Sequence, residues 1–264
     1  MNKNRDHKNT IKDALAFTVI LLPFAAVGGY FTGRYAYASY TAEVRQMILE
    51  QGGSVDTLAL ISMAQTVLYT VFCAVAGYML AGLTGLMKPL KYKKEPLLKT
   101  VFITVICGVL FSLDDPVFGK LIPQVAASYK SGLLYKSIDN LITSVLYGGI
   151  VEELILRLFL MSLVAFVLWK LFFKKYSKEE IPAKVFVIAN VICALLFAAG
   201  HLPATISMFG ELSFVILCRC FLMNGALGFV FGELYRKYGI QYAFIGHMGV
   251  HVVSKVIWNF SHFI

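Results

Sequence analysis

A small set of acidic and imidazole side chains in the second half of the chain has the types and spacing for hydrolytic chemistry. Glu152, Glu153 and Arg157 lie in the apolar run Tyr147-Gly-Gly-Ile-Val-Glu152-Glu153-Leu-Ile-Leu-Arg157, far from either end of it. Charge within hydrocarbon is costly, so ionisable groups placed there mark a functional site by default. Glu153 and Arg157 are four apart and share a helical face, where they can pair. Glu152 projects about 100° away on an α-helix of 3.6 residues per turn, which leaves it free to face a cavity. His201 ends a second run, Phe197-Ala-Ala-Gly200-His201, and His247 and His251 share a face of a third, Gly246-His247-Met-Gly-Val-His251. A carboxylate with several imidazoles can activate a water, directly as a general base or through a bound Zn²⁺. Glu152, His201 and His247 supply donors for such an ion, although not in His-Glu-x-x-His spacing. No Gly-x-Ser-x-Gly elbow is present, so a glutamate-activated water, which needs no cofactor, is the simplest chemistry these residues support.

The elements that must position these groups are membrane helices. Of 264 residues, 58% are hydrophobic and only 15% charged, against about a quarter charged in an ordinary soluble domain. A bilayer-spanning helix takes about 20 apolar residues. The apolar runs are Ala14 to Gly33, Leu58 to Met87, Leu98 to Leu113, Leu141 to Phe173, Val185 to Leu202, Phe214 to Leu234 and Tyr242 to Phe260. The expected fold is therefore an all-α polytopic bundle of about seven spans forming one domain, residues 1–264. The first run is longer than a signal-peptide core and reads as a retained helix. A cytosolic enzyme, a disordered chain and a secreted disulfide scaffold are excluded. The five cysteines form no C-x-x-C and lie in apolar runs, where they read as small buried hydrophobes.

The net charge of +9 is concentrated in short loops. The amino end, Lys88 to Lys99, Lys170 to Lys184 and Arg236-Lys237 are basic, and the alternating connections are mixed or acidic. The positive-inside rule then places the amino end in the cytoplasm, as a multi-pass protein of the plasma membrane. On this pattern the basic charge faces lipid and not nucleic acid. Gly29-x-x-x-Gly33 and Gly228-x-x-x-Gly232 read as helix-packing motifs within the monomer. Arg219 and Asn224 read as makers of interhelical hydrogen bonds, Lys255 as snorkelling to the interface, and Asp114-Asp115-Pro116 as a helix end.

The motifs together resemble the CPBP intramembrane proteases, the CAAX-protease and bacteriocin-processing (Abi) family. Glu152-Glu153-Leu-Ile-Leu-Arg157 matches its Glu-Glu-x-x-x-Arg, Phe197-Ala-Ala-Gly-His201 its Phe-x-x-x-His, and His247-Met-Gly-Val-His251 its His-x-x-x-Asn, with His in the last position. The resemblance covers residues 141–260, the expected catalytic core. It implies that Glu152 is the general base on the attacking water, assisted by His201. It further implies that His247 and His251 stabilise the oxyanion, and that Glu153 and Arg157 support them. Substrates would be membrane-associated peptides or proteins, processed in a CAAX-type or leader-type reaction. A divalent metal such as zinc, on Glu152, His201 and His247, stays open. Behind an intramembrane endopeptidase stand a non-catalytic scaffold or immunity-type protein of the same fold, and a proton-coupled carrier. The carrier is disfavoured by the lack of an inverted repeat.

Overall fold

The computed structural model describes residues 3–132, 134–210 and 212–261, with side chains from residue 10 onward; the basic side chains Lys3, Arg5 and Lys8 lie outside this description. All regular structure among the described residues is helical. The helices are α1 (Lys3–Ser39), α2 (Ala42–Glu50), α3 (Val55–Thr84), α4 (Lys94–Ser112) and α5 (Pro123–Lys130). They continue as α6 (Ile138–Phe172), α7 (Ala183–Gly200), α8 (Leu202–Phe209), α9 (Phe214–Tyr238) and α10 (Ile240–Ser261).

Six segments among the described residues are long and apolar enough to cross a membrane: α1, α3, α4 with its following turn, α6, α7 with α8, and α9. The chain is thus an all-α, multi-pass membrane protein. The expected seventh segment, α10, has 22 residues, about 33 Å at 1.5 Å per residue. Gln241, His247, His251, Ser254, Lys255 and Asn259 dilute its apolarity. It packs chiefly against α4, α6 and α9. Its first residues, Ile240 to Ala243, are all buried.

Lipid tails are as apolar as leucine, so the bundle is held by close packing and by polar contacts between helices. α6 is the axis: Leu154, Leu158, Met161 and Ala165 are fully buried against Ala74 and Ala81 of α3, Val185, Ala189 and Cys193 of α7, and Tyr235 of α9. Small residues set the approach. A Cβ on Gly33 would lie 2.5 Å from the Leu58 carbonyl, and one on Gly29 2.6 Å from the Thr66 side chain, so α1 and α3 meet backbone to backbone. Gly228 and Gly232 instead make room on α9 for the Phe197 and Asn190 side chains of α7. Both glycine motifs are therefore intramolecular packing seams.

Two bonds join α10 to the loop before α4. Gln241 Nε2 donates to the Pro89 carbonyl (3.0 Å), and the Lys93 N–H donates to the Tyr242 hydroxyl (2.8 Å). Gly239, at φ 114°, turns the chain from α9 into α10 in a conformation that other residues rarely adopt. At the opposite end of the bundle, Arg34 pairs with Asp139 (3.2 Å). There Asp114 is no exposed helix terminus. It is 2% exposed, accepts from Arg219 Nε at 2.8 Å and Nη2 at 2.5 Å, and accepts from the Tyr129 hydroxyl at 2.8 Å. Burial and the Asp114 carboxylate hold the Tyr129 phenol protonated far above its ordinary range.

Candidate active site

α6 starts at Ser137, whose hydroxyl accepts from the Asn140 N–H (3.2 Å), a normal helix cap. From Thr143 to Met161 its bonding is mostly of the wider i→i+5 type. Such π turns are rare and tend to occur at functional sites. This stretch carries every acidic and basic group of the first motif.

The two adjacent glutamates part company. Glu153 is wholly buried, with Oε2 3.2 Å from Arg157 Nε and Oε1 2.9 Å from His247 Nδ1. The Arg157 contact is electrostatic: its N–H axis misses the oxygen, and none of the three guanidinium nitrogens makes a hydrogen bond among the described residues. The guanidinium instead lies 5.2 Å over the Phe197 ring. Glu152 is half-buried and faces a cavity of about 170 Å³. Also on that cavity are Gly148, His201, His247 and His251. All four expected catalytic residues therefore border one space, while Glu153 and Arg157 stand behind it.

The imidazole partners fix where protons sit. His201 Nδ1 lies 2.9 Å from the Phe197 carbonyl. A carbonyl only accepts, so Nδ1 carries the hydrogen and Nε2 keeps its lone pair. Glu153 likewise holds a hydrogen on His247 Nδ1. His247 Nε2 is 3.2 Å from His251 Nε2, so a single proton occupies that gap and either ring can hold it. The His247 ring is stacked on Phe231, with centroids 4.5 Å apart, and Phe111 meets the His251 ring edge-on at 5.7 Å.

Gly148 defines the space between these groups. A Cβ at Gly148 would lie 3.5 Å from His251 Nε2, 3.6 Å from His247 Nε2 and 3.8 Å from Glu152 Oε2. The Glu152 carboxylate and the Nε2 atoms of both imidazoles thus approach one another across the cavity beside Gly148. Among the described residues no three His, Cys, Asp or Glu side chains gather in a way that holds a metal ion. Glu152, His201 and His247 share the cavity without converging on one coordination point, and His247 directs its available nitrogen at His251.

His201 ends α7, whereas His247 is only about 10 Å along α10 at 1.5 Å per residue. They meet because α10 begins inside the protein, under the Pro89 and Lys93 loop. Lys255 does not snorkel: it is 6% exposed and its Nζ donates to the Leu134 carbonyl (3.1 Å) and to Asn140 Oδ1. Asn140, Ser144, Gly148 and Glu152, each four residues from the next, all line the cavity. That polar and small stripe is visible in the sequence at four-residue spacing and was not read as part of the site. Asn224 also lines it, in addition to donating to the Cys220 carbonyl of its own helix (3.0 Å).

Residues 134–253 match the family model of Rce1-like type II CAAX prenyl endopeptidases. This part of the chain belongs to the CAAX-protease family. The match begins just before α6 and ends in α10, and so takes in all three motifs and every residue lining the cavity except Tyr35 and Phe111. No curated protein and no solved structure matches the chain. Membership of the CAAX-protease family supports intramembrane endopeptidase activity in general. Its third motif here ends in His251, the residue that shares a proton with His247.

Proposed function

We propose that the protein is an intramembrane endopeptidase in which Glu152 activates a water to hydrolyse a peptide bond of a membrane-associated substrate. The observation that carries this reading is the space beside Gly148, bounded by Glu152 Oε2 and by Nε2 of both His247 and His251. Glu152 takes a proton from the water and returns it to the amine nitrogen as the C–N bond breaks, with the His201 Nε2 lone pair assisting on the same cavity. Attack on the scissile carbonyl builds negative charge on its oxygen, and the proton held between His247 and His251 lies where it can neutralise that charge. Glu153 fixes the orientation of the His247 ring through Nδ1. Arg157 offsets the Glu153 charge within the bundle.

The cavity walls support a lipid-modified substrate. A second, almost wholly apolar cavity of about 280 Å³, lined by Leu110, Leu113, Val117 and Leu222, shares Phe111, Met223 and Leu227 with the first. A lipid-modified carboxyl terminus would lay its hydrocarbon there while its backbone reaches Glu152. A peptidase assay in liposomes tests both parts, using prenylated and unmodified forms of one peptide with and without chelator. The expected result is cleavage of the prenylated form, abolished by Glu152→Gln. Cleavage by that variant at the wild-type rate would overturn the role of Glu152. Activity lost on chelation would replace the metal-free water with a metal-bound one.

A further inference from the structure

We propose that the basic end of the bundle holds a phosphate-bearing anion, and that this anion is the head group of an anionic phospholipid. A cavity of about 360 Å³ lies between the loop before α4 and the α9–α10 turn, lined by Lys88, Lys91, Lys93, Lys237, Tyr238 and Tyr242, with Pro89 and Pro96 at its edge. Lys237 shares the Glu233 carboxylate (3.3 Å) with Arg236. The nearby Glu95 is taken by Lys99 at 2.6 Å. Lys88, Lys91 and Lys93 have no carboxylate partner among the described residues, and the Lys88 ammonium makes only a long contact with the Gly85 carbonyl, 3.4 Å. Three uncompensated ammonium groups around one concavity repel one another unless an anion joins them.

Two further features point to that anion. Lys93 precedes α4 without any side-chain cap, so the Lys94 and Glu95 N–H groups that open this 19-residue helix have no side-chain acceptor at its N-cap, a position that suits phosphate. Below it, α4 presents Leu98, Val101 and Phe102 outward, with Phe102 67% exposed, and Leu90 and Tyr92 are also exposed beside the cavity. A lipid would place its phosphate among the lysines and its acyl chains along α4. A soluble phosphate would use only the upper half of this arrangement. The floor of the cavity is Tyr242, whose hydroxyl bonds the Lys93 backbone and which precedes His247 on α10. An anion bound there ties α4 to the helix that carries the imidazole pair.

The test uses the full-length purified protein in neutral detergent, with thermal unfolding and lipid retention in native mass spectrometry as readouts. Neither depends on catalysis, so failure here is distinct from failure of the proposed protease reaction. Phosphatidylglycerol is expected to raise the unfolding temperature and be retained, and phosphatidylcholine to do neither. At roughly fivefold in affinity per basic residue near a membrane surface, the Lys88→Gln, Lys91→Gln, Lys93→Gln triple variant should bind on the order of a hundredfold more weakly. The control triple Lys120→Gln, Lys130→Gln, Lys174→Gln removes equal charge from positions that do not line this cavity and should bind as wild type. Equal losses in both triples, or none in the first, overturn the site. Inorganic phosphate or pyrophosphate reproducing the full shift without lipid overturns the phospholipid source and leaves a soluble phosphate ligand.

Discussion

Glu153 Oε1 lies 2.9 Å from His247 Nδ1, and its Oε2 lies 3.2 Å from Arg157 Nε. One buried carboxylate therefore sits between a cation and the imidazole that faces the cavity. Glu152, the next residue, has neither partner and faces the cavity itself. Adjacent residues of one type acquire different surroundings because helix geometry points one into the protein and the other into a cavity.

If Glu152 is the general base, Glu152→Gln keeps the shape of the side chain and removes its proton-accepting carboxylate. Turnover should fall by about 10²–10⁴-fold, the usual contribution of a positioned base. Unfolding temperature and expression should stay as in wild type, since the residue is half-buried and carries no ion pair. Steady-state cleavage of a fluorogenic membrane peptide, with unfolding followed in parallel, provides the check. Retained turnover would move the base elsewhere, with His201 the next candidate.

Arg157 is a different case. Its removal leaves Glu153 charged and uncompensated inside the bundle, which costs about 3–5 kcal/mol for a buried pair broken on one side. Arg157→Ala should thus accumulate poorly and unfold early. Replacing both members, as Glu153→Leu with Arg157→Met, exchanges a buried pair for apolar volume and should restore most of the stability. It should not restore activity, because His247 then loses the acceptor on Nδ1. A double variant that is both stable and fully active would show that the Glu153–His247 contact has no catalytic consequence.

His251 stands where the family motif has asparagine, and its ring shares one proton with His247. His251→Asn supplies an amide donor in place of the imidazole that faces His247. The variant is expected to remain active. His251→Ala, which removes the donor as well, should lose turnover by at least about 10²-fold, the usual effect of deleting one oxyanion donor. Turnover of His251→Ala equal to that of wild type in the membrane-peptide assay would exclude a donor at this position from the reaction.

Much of this arrangement was legible in the residues. Four-residue spacing put Glu153 beside Arg157 and His247 beside His251, since spacing along one helix is local information. The order of the motifs indicated that Glu152 and His201 belong together. Depth was not legible. Nothing in the run from Gln241 onward shows that α10 starts beneath the Pro89–Lys93 loop, because that depends on Gln241 and Tyr242 bonding a segment far away in sequence. Lys255 reads as an interfacial lysine for the same reason. Its partners, the Leu134 carbonyl and Asn140, lie in the α5–α6 connection and at the start of α6. The six segments among the described residues that are apolar enough to span, against seven expected, differ at the helix that carries His247 and His251, whose polar side chains lower its hydropathy.

Gly148 offers the sharpest test, because its substitution separates stability from chemistry. The added Cβ would make ordinary van der Waals contacts of 3.5–3.8 Å with His251, His247 and Glu152, so the helix does not have to shift. Alanine also favours a helix over glycine by up to about 1 kcal/mol. Gly148→Ala should therefore fold as well as wild type or slightly better. Its methyl, however, projects toward Glu152 and both imidazoles and narrows the cavity in which a water would meet them, and turnover should fall by at least about 10²-fold, comparable to losing the base itself. Gly149→Ala is the counter-case: its Cβ would drive into Met248 of α10 and lie 3.1 Å from that residue's Cα, so it should lose stability as well as activity. A fully active Gly148→Ala enzyme would mean that the nucleophile approaches from some other wall of the cavity.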